Sequence, residues 1–357
     1  MASLHRITTP QTQRSPIILE VGMMFVKVGF AGDSAPIAIV PSLGRLPNGN
    51  LTRLFGPMRL AQRMEILTTF LSDLYFKVLL CNARDRKVVV LLNPFEPHDI
   101  EKALLAVLLT VLEVPGVSLV SPHMTIFPAI GIIHTGLIID IGSVTRIIPV
   151  AHNAAIVGSW EVLPHIGFSG LVRFVKEGLS TGCDIRRIRL PSDDSAYSED
   201  SAEMSSIDSI ESLKQSINVE ELCLELDFPP FPDINRLTVE AGEKRVELRI
   251  CGTFLEKIME TFFQHDLDGN SLPSAILEVI LKVGETSTSF RWAMMENMIV
   301  VGGVAAVKNF LPRLNAELSV AARDSSFVEK LRQPKFRFVS TQKIPTNIVG
   351  WSGSQRR

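Results

Sequence analysis

The feature that most constrains this chain is a β-turn-β unit that occurs twice. In the first copy, Ile17, Ile18 and Leu19 form a β-prone run with no breaker before Gly22. Gly22 permits a tight reversal, Phe25-Val26-Lys27-Val28 runs back as a second strand, and Gly29-Phe30-Ala31-Gly32-Asp33 closes the unit. In the second copy, Leu137-Ile138-Ile139-Asp140 is the outgoing strand, Ile141-Gly142-Ser143 the turn, and Arg146 to Val150 the return. A glycine turn between two strands, one bearing a lysine, can wrap backbone N–H groups around a phosphate. By spacing alone an ordinary hairpin is the better reading. Strands and helices alternate around both copies, which predicts a duplicated α/β fold with two halves around a central cleft.

Hydrophobic periodicity fills in the rest. Pro41 to Gly56 reads as a loop, and Leu60 to Leu74 as a helix with Leu60, Met64, Leu67, Leu71 and Leu74 on one face. Lys87 to Leu92 is an aliphatic run suited to a strand buried on both faces. Asp99 to Leu112 is apolar almost all round, which predicts a buried helix. Further strands are expected at 117–120, 245–250, 298–301 and 335–339. Helices are expected at 124–133, 167–179, 217–228, 253–263, 274–283 and 307–318. Pro191 to Glu211 is rich in Ser, Asp and Glu and poor in large apolar residues, so it reads as a solvated, mobile loop.

Composition excludes several functions. The chain has 357 residues, 46% of them hydrophobic, and a mean hydropathy of +0.24. A chain of this kind has either a large core or apolar surface covered by partners. Its longest weakly polar run, Met124 to Ile139, is too short and too interrupted by Pro128 and His134 to span a membrane. The first 15 residues have no signal-peptide core and read as a disordered lead-in. A net charge of −2 without a basic stripe argues against nucleic acid. Cys81, Cys183, Cys223 and Cys251 fit no zinc spacing and read as reduced thiols. The histidines, among them His98, His123, His134, His152, His165 and His265, show no metal-like spacing and read as surface or locally satisfied residues. Asp266 to Asn270 echoes a calcium loop, but the twelfth position falls on Leu277, so a helix-capping turn is the better reading.

Taken together, these segments resemble the actin family. Gly22 to Pro36, with Lys27 and GFAGDSAP, resembles its first phosphate-binding hairpin, and Gly136 to Pro149 the second. Leu92-Asn93-Pro94, Glu220-Glu221-Leu222-Cys223, Ile299-Val300-Val301-Gly302-Gly303 and the tryptophan-glycine turn of Ile348 to Gly353 follow in the family's order. Leu74 to Val89, Glu113-Val114-Pro115 and Glu296 to Gly303 are similar to a divergent actin-related branch at the pointed end of dynactin. The resemblance implies an actin-like (actin/Hsp70/sugar-kinase) fold. Its first half would span 16–135 and its second 136–334, with the acidic loop at 191–212 inside it. Residues 335–357 would return to the first half, without the family's terminal helices.

The resemblance also implies a nucleotide pocket at Glu20, Gly22, Lys27, Asp140, Gly142, Glu220, Gly302 and Gly303. Departures make that pocket vestigial. Met23 stands where the family has a phosphate-binding serine, and a thioether donates no hydrogen bond. The second turn is one residue short and lacks its second aspartate. Val219 replaces a lysine near the base, and no glutamine lies between Val117 and Asp140 to position an attacking water. The expectation is no catalytic residues, no metal and no required cofactor, with weak or structural ATP or ADP binding left open by Lys27, Asp140 and the glycine turns. Fewer residues separate Asp33 from Leu74 than in actin, which implies that the small subdomain at the family's pointed end is reduced. A subunit lacking that surface would end a head-to-tail filament. The implied function is a non-enzymatic cap on the actin-related filament of dynactin, in the cytoplasm and cytoskeleton. Its partners would be the filament subunits, the other pointed-end subunits and, indirectly, dynein. The alternatives are a nuclear actin-related subunit of a chromatin-remodelling complex and an active actin-fold ATPase.

Overall fold

The computed structural model describes residues 14–46, 49–131, 134–181, 185–189, 219, 234–241, 244–265, 270–331, 334–341 and 344–354. The acidic loop and Glu220 lie outside these residues, as do Cys183, Cys223, 266–269 and all of the helix expected at 217–228 except Val219. The chain divides into two compact units. The first comprises Met1–His134, His152–Ala154 and Thr341–Arg357, and the second Thr135–Ala151 and Ala155–Ser340.

The first unit is built on a mixed five-stranded sheet. Its strands are β1 (Ile17–Val21), β2 (Phe25–Phe30), β3 (Ala38–Pro41), β6 (Val88–Leu91) and β7 (Val117–Val120), in the order β3-β2-β1-β6-β7. The β1-β2-β3 meander is antiparallel, whereas β1, β6 and β7 run parallel. Between β3 and the first helix, β4 (Leu43–Arg45) and β5 (Leu51–Arg53) pair as a separate two-stranded ladder. The sequence predicts a loop for this stretch, because two three-residue strands are too short to establish a period-2 pattern.

Helices α1 (Leu60–Asp73) and α2 (His98–Ala106) connect these strands, and each runs on into a π turn, Leu74–Val78 and Val107–Val111. The inward face of α1 carries Ile66, Leu67 and Leu71, and that of α2 carries Ile100, Ala103 and Leu104. Both join Ile17, Leu19, Val26, Val28, Val88 and Val90 in one core. Arg63 is buried within it, and its guanidinium donates to Leu54 O (2.8 Å), Gly56 O (3.1 Å) and Asp99 Oδ2 (2.9 Å). The all-round burial expected for 99–112 does not hold, because Leu109 and Val111 on the second π turn are exposed.

Helix α3 (His123–Ile130) follows β7 and ends at Gly131, whose N–H bonds Phe127 O. The chain returns to this unit at Thr341 and closes with a short helix, α10 (Val349–Ser354). Thr125 Oγ1 donates to Gly350 O, and a Cβ on Gly353 would stand 1.8 Å from Thr125 O, so only glycine allows that approach. Trp351 is fully buried with Ile18, Leu91 and Ile348.

The second unit has its own hairpin, β8 (Gly136–Ile141) and β9 (Thr145–Ala151). Two short strands follow, β10 (Ala154–Ala155) and β11 (Glu161–Leu163), and β11 pairs with β9. Helix α4 (Phe168–Thr181) leads to an antiparallel sheet of β12 (Ile185–Arg189), β13 (Ile234–Ala241) and β14 (Lys244–Cys251), with β14 in the middle. Helices α5 (Gly252–Glu260), α6 (Leu272–Thr286) and α7 (Thr288–Glu296) precede β15 (Met298–Val301), which pairs parallel with β8. Helices α8 (Phe310–Ala321) and α9 (Ser325–Leu331) complete the unit. Buried aliphatic, methionine and phenylalanine side chains from β8, β9, β15 and α4 to α9 make its core.

The strand expected at 335–339 is reduced to one bridge between Phe338 and Met298. That stretch belongs to the second unit, where Arg337 N–H donates to Met295 O and Met298 N–H to Arg337 O. The boundary therefore falls at Thr341 and not at Lys335.

Candidate functional site

The two hairpins place their charges alike. In the first, Glu20, the penultimate residue of β1, pairs across the ladder with Lys27. In the second, Asp140, the penultimate residue of β8, pairs across with Arg146. The glycine amide of each turn bonds back onto the turn, Gly22 N–H to Phe25 O at 3.1 Å and Gly142 N–H to Val144 O at 3.3 Å. The two hairpins thus place acid and cation at matching positions of their ladders.

In the first unit the cation is already engaged. Lys27 Nζ donates to Glu20 Oε1 and to the backbone oxygen of Asn347 in the C-terminal segment. Both charged side chains are mostly buried, 14% exposed for Lys27 and 17% for Glu20. The turn itself is fastened by Ser42, whose Oγ donates to Gly22 O (2.6 Å) and whose N–H donates to Met24 O (2.8 Å). Met23 packs against the core of the unit. A side chain with no strong donor is better accommodated there than beside an anion.

Glu20 also lies on the carboxyl edge of the three parallel strands, beside Leu91 of β6, which in turn pairs with Val120 of β7. Ligands of open α/β sheets bind at this edge. Next along it come Asn93, whose Oδ1 accepts from Phe95 N–H, and then Ser121 and His123. His123 is only 2% exposed and faces the Phe95 ring at 6.3 Å between centroids. The sequence groups it with histidines that are at the surface or locally satisfied, and its burial favours the second of these. Its position directly after the strand 117–120 was the signal that could have singled it out. Glu20 Oε2 and Ser121 Oγ are buried here without a hydrogen-bond partner among the described residues.

In the second unit, the turn after Asp140 packs on the start of α4. Phe168 N–H donates to Gly142 O (3.0 Å), Ser169 N–H to Ser143 O (2.9 Å), and the two serine hydroxyls lie 2.8 Å apart. Two amides at the helix N-terminus, where an anion would otherwise be welcome, are therefore spent on the protein's own turn. Gly302 adopts φ +99°, and a Cβ there would sit 2.3 Å from Ile141 O. Gly303 has an ordinary helical φ of −65° and open space where its Cβ would be. Of the pair, only Gly302 is demanded by the fold. Glu220 is outside the described residues.

The described residues therefore place Glu20, Gly22 and Lys27 together in the first unit, and Asp140, Gly142, Gly302 and Gly303 around one strand end in the second. Among them, no three His, Cys, Asp or Glu side chains group to hold a metal ion. No helix among the described residues is long and apolar enough to cross a membrane. No protein-family model matches the chain. It is similar to Actin-related protein 10 of Dictyostelium discoideum, at 22% identity over 356 residues, covering 85% of this chain and 73% of that protein. Similarity of this extent supports kinship with an actin-related protein. The mixed α/β architecture, with several sheets and helices, fits an actin-like fold.

Proposed function

We propose that this protein is a non-enzymatic structural subunit of dynactin that caps the pointed end of its actin-related filament and thereby supports dynein-based transport along microtubules. The observation that carries the reading is the closed state of the first hairpin. Lys27 gives two of its three donors to Glu20 and Asn347, the Gly22 amide is bonded within its turn, and Met23 packs inward. These residues do not fit a nucleoside triphosphate, whose anionic oxygens need free donors, and the Glu20 carboxylate only accepts while ionised. Phosphoryl transfer depends on positioned charge, and that charge is spent on internal contacts here.

The similarity to an actin-related protein supports the assembly side of the reading. The small β4–β5 ladder supports the capping side, because the described residues between β3 and α1 form two three-residue strands. A terminal unit of this kind stops a heterologous, head-to-tail assembly that would otherwise stay open.

The test is to isolate the full chain from cytosol with its partners. Recovery with an actin-related filament and other dynactin subunits supports the assignment. Recovery with chromatin-remodelling subunits, or alone with ATP turnover, overturns it. Denaturing the purified protein and assaying released nucleotide tests the pocket separately. One equivalent of ATP or ADP per chain would refute a vestigial site.

A further inference from the structure

Between Asp33 and Glu65 the chain carries Arg45, Arg53, Arg59 and Arg63 and no Asp or Glu. Over the whole chain the two signs nearly balance, with 38 acids and 36 bases, so charge is segregated locally in this stretch. Arg63 is the exception in role. It is buried, paired with Asp99, and its donors to Leu54 O and Gly56 O hold the base of the β4–β5 hairpin.

The register of that hairpin decides where the other arginines point. Leu43 lies opposite Arg53, Gly44 opposite Thr52, and Arg45 opposite Leu51. Side chains alternate along a strand and match across a ladder, so Leu43, Arg45, Leu51 and Arg53 share one face, and Gly44 and Thr52 the other. The Gly44 face lies on α1, since a Cβ there would stand 1.9 Å from Ile66 Cγ2 and 2.8 Å from Leu54 Cδ2. The arginine face is therefore turned away from the helix. Arg45 is exposed on it, and Leu51, directly opposite Arg45, is 61% exposed.

Arg59 adds a cation where the fold gains nothing from one. It is the exposed N-cap residue of α1, makes no side-chain capping bond, and has no acid in the first turn beside it. A positive charge at a helix N-terminus opposes the helix dipole. Arg45 and Arg59 form no ion pair among the described residues. A broken local rule beside an uncompensated charged face points to a use for the surface.

The same charges say what kind of partner it fits. Guanidinium groups bind carboxylates through paired hydrogen bonds. Arg45 and Arg53 are diagonal neighbours on the ladder, on the order of 7–8 Å apart. That matches the spacing of about 6.6 Å between alternate side chains of an extended chain. The exposed Leu51 among them calls for an apolar side chain, which a nucleic-acid backbone does not offer, and the net charge of −2 gives no wider attraction to phosphate.

We propose that the outward face of the β4–β5 hairpin, together with Arg59, binds an acidic segment of another protein, with carboxylates on the arginines and an apolar side chain on Leu51. The proposal rests on the reading of the chain as an assembly subunit and names the chemistry of one partner. It is tested by placing the photo-cross-linker p-benzoylphenylalanine at position 51 of the full chain, irradiating in cells and sequencing the linked product. A peptide of another protein, rich in Asp and Glu and carrying a large apolar residue, supports it. A neutral or basic peptide, a peptide of this chain (its own acidic stretch 191–211 included), a nucleic acid, or no cross-link overturns it.

Charge reversal provides the second arm. Arg45→Glu/Arg59→Glu alters two exposed side chains and puts an acid at the helix N-terminus, so it should melt no lower than wild type. It should nevertheless bind a synthetic copy of the linked segment at least about tenfold more weakly, and wild-type binding should weaken as salt is raised. Equal binding by the two proteins, or binding indifferent to salt, overturns the proposal. Failure to recover any actin-related filament would instead count against the dynactin reading, leaving a charge-dependent cross-link as evidence for this face.

Discussion

Replacing Lys27 with methionine separates a structural lysine from a phosphate-binding one. Lys27 and Glu20 are 14% and 17% exposed, and Glu20 Oε2 has no hydrogen-bond partner among the described residues. Lys27→Met therefore strands a mostly buried carboxylate that loses its counter-ion, and also removes a donor from Asn347 O. Breaking a buried pair from one side costs about 3–5 kcal/mol, and the residual exposure favours the lower figure. For a unit of this size each kcal/mol shifts the melting point by about 2–4 °C, so a fall of roughly 6–12 °C is expected. The double variant Glu20→Gln/Lys27→Met removes both charges and should recover to within about 1 kcal/mol of wild type. Differential scanning calorimetry of the three proteins, with and without Mg-ATP, reads the outcome. A Lys27→Met protein that melts at or above the wild-type temperature, with ATP stabilising the wild type alone, would refute a structural role for the lysine.

Three further outcomes follow from particular contacts. Gly302→Ala should destabilise the second unit by about 3 kcal/mol or more, since its Cβ would meet Ile141 O at 2.3 Å in a left-handed conformation, whereas Gly303→Ala should be neutral; paired urea melts compare them. Arg63→Met should cost about 3–5 kcal/mol, because it removes the buried donor shared by Leu54 O, Gly56 O and Asp99; circular dichroism of the melt is the check. Tyr75→Phe should raise stability at neutral pH by about 1 kcal/mol, since the hydroxyl is buried without a partner among the described residues. Burial pushes the Tyr75 hydroxyl, with a smaller push from Cys81, well above its ordinary pKa of 10.0. The folded state then holds a proton that the unfolded chain releases, so wild-type stability is full below pH 10.0 and falls as pH rises further. The phenylalanine variant should show a shallower alkaline decline.

Much of the fold was legible because periodicity and turn chemistry agreed. Leu60 to Leu74 and Val117 to Val120 were read within a residue, and the two hairpins emerged with their acid and glycine positions intact. Short or irregular elements were harder to see. The three-residue strands β4 and β5 have no pattern to detect, and nothing in the sequence around Ile234–Ala241 or Ser325–Leu331 separated those elements from loop. Asp99 to Leu112 misled because apolar residues on all sides suggest burial on all sides, whereas Leu109 and Val111 are exposed beside the buried Ile100, Ala103, Leu104, Val107 and Leu108.

At the hairpins, the sequence picks out Glu20, Gly22 and Lys27 but not their contacts. Lys27 reads as a phosphate ligand until its ammonium is found between Glu20 and the Asn347 carbonyl, 320 residues away in the chain. Long-range pairings of that sort leave no local pattern. Ser121 and His123 were missed because a hydroxyl and an imidazole carry no motif by themselves. Only their place at the carboxyl edge of the sheet gives them interest.

The central claim, a cap and not a motor or enzyme, is tested most directly by locating the protein on its filament. Full-length chain carrying a gold label, recovered with the actin-related filament and imaged by electron microscopy, should appear once per filament and at the pointed end. Labels distributed along the filament, at the opposite end, or absent from it would contradict the account.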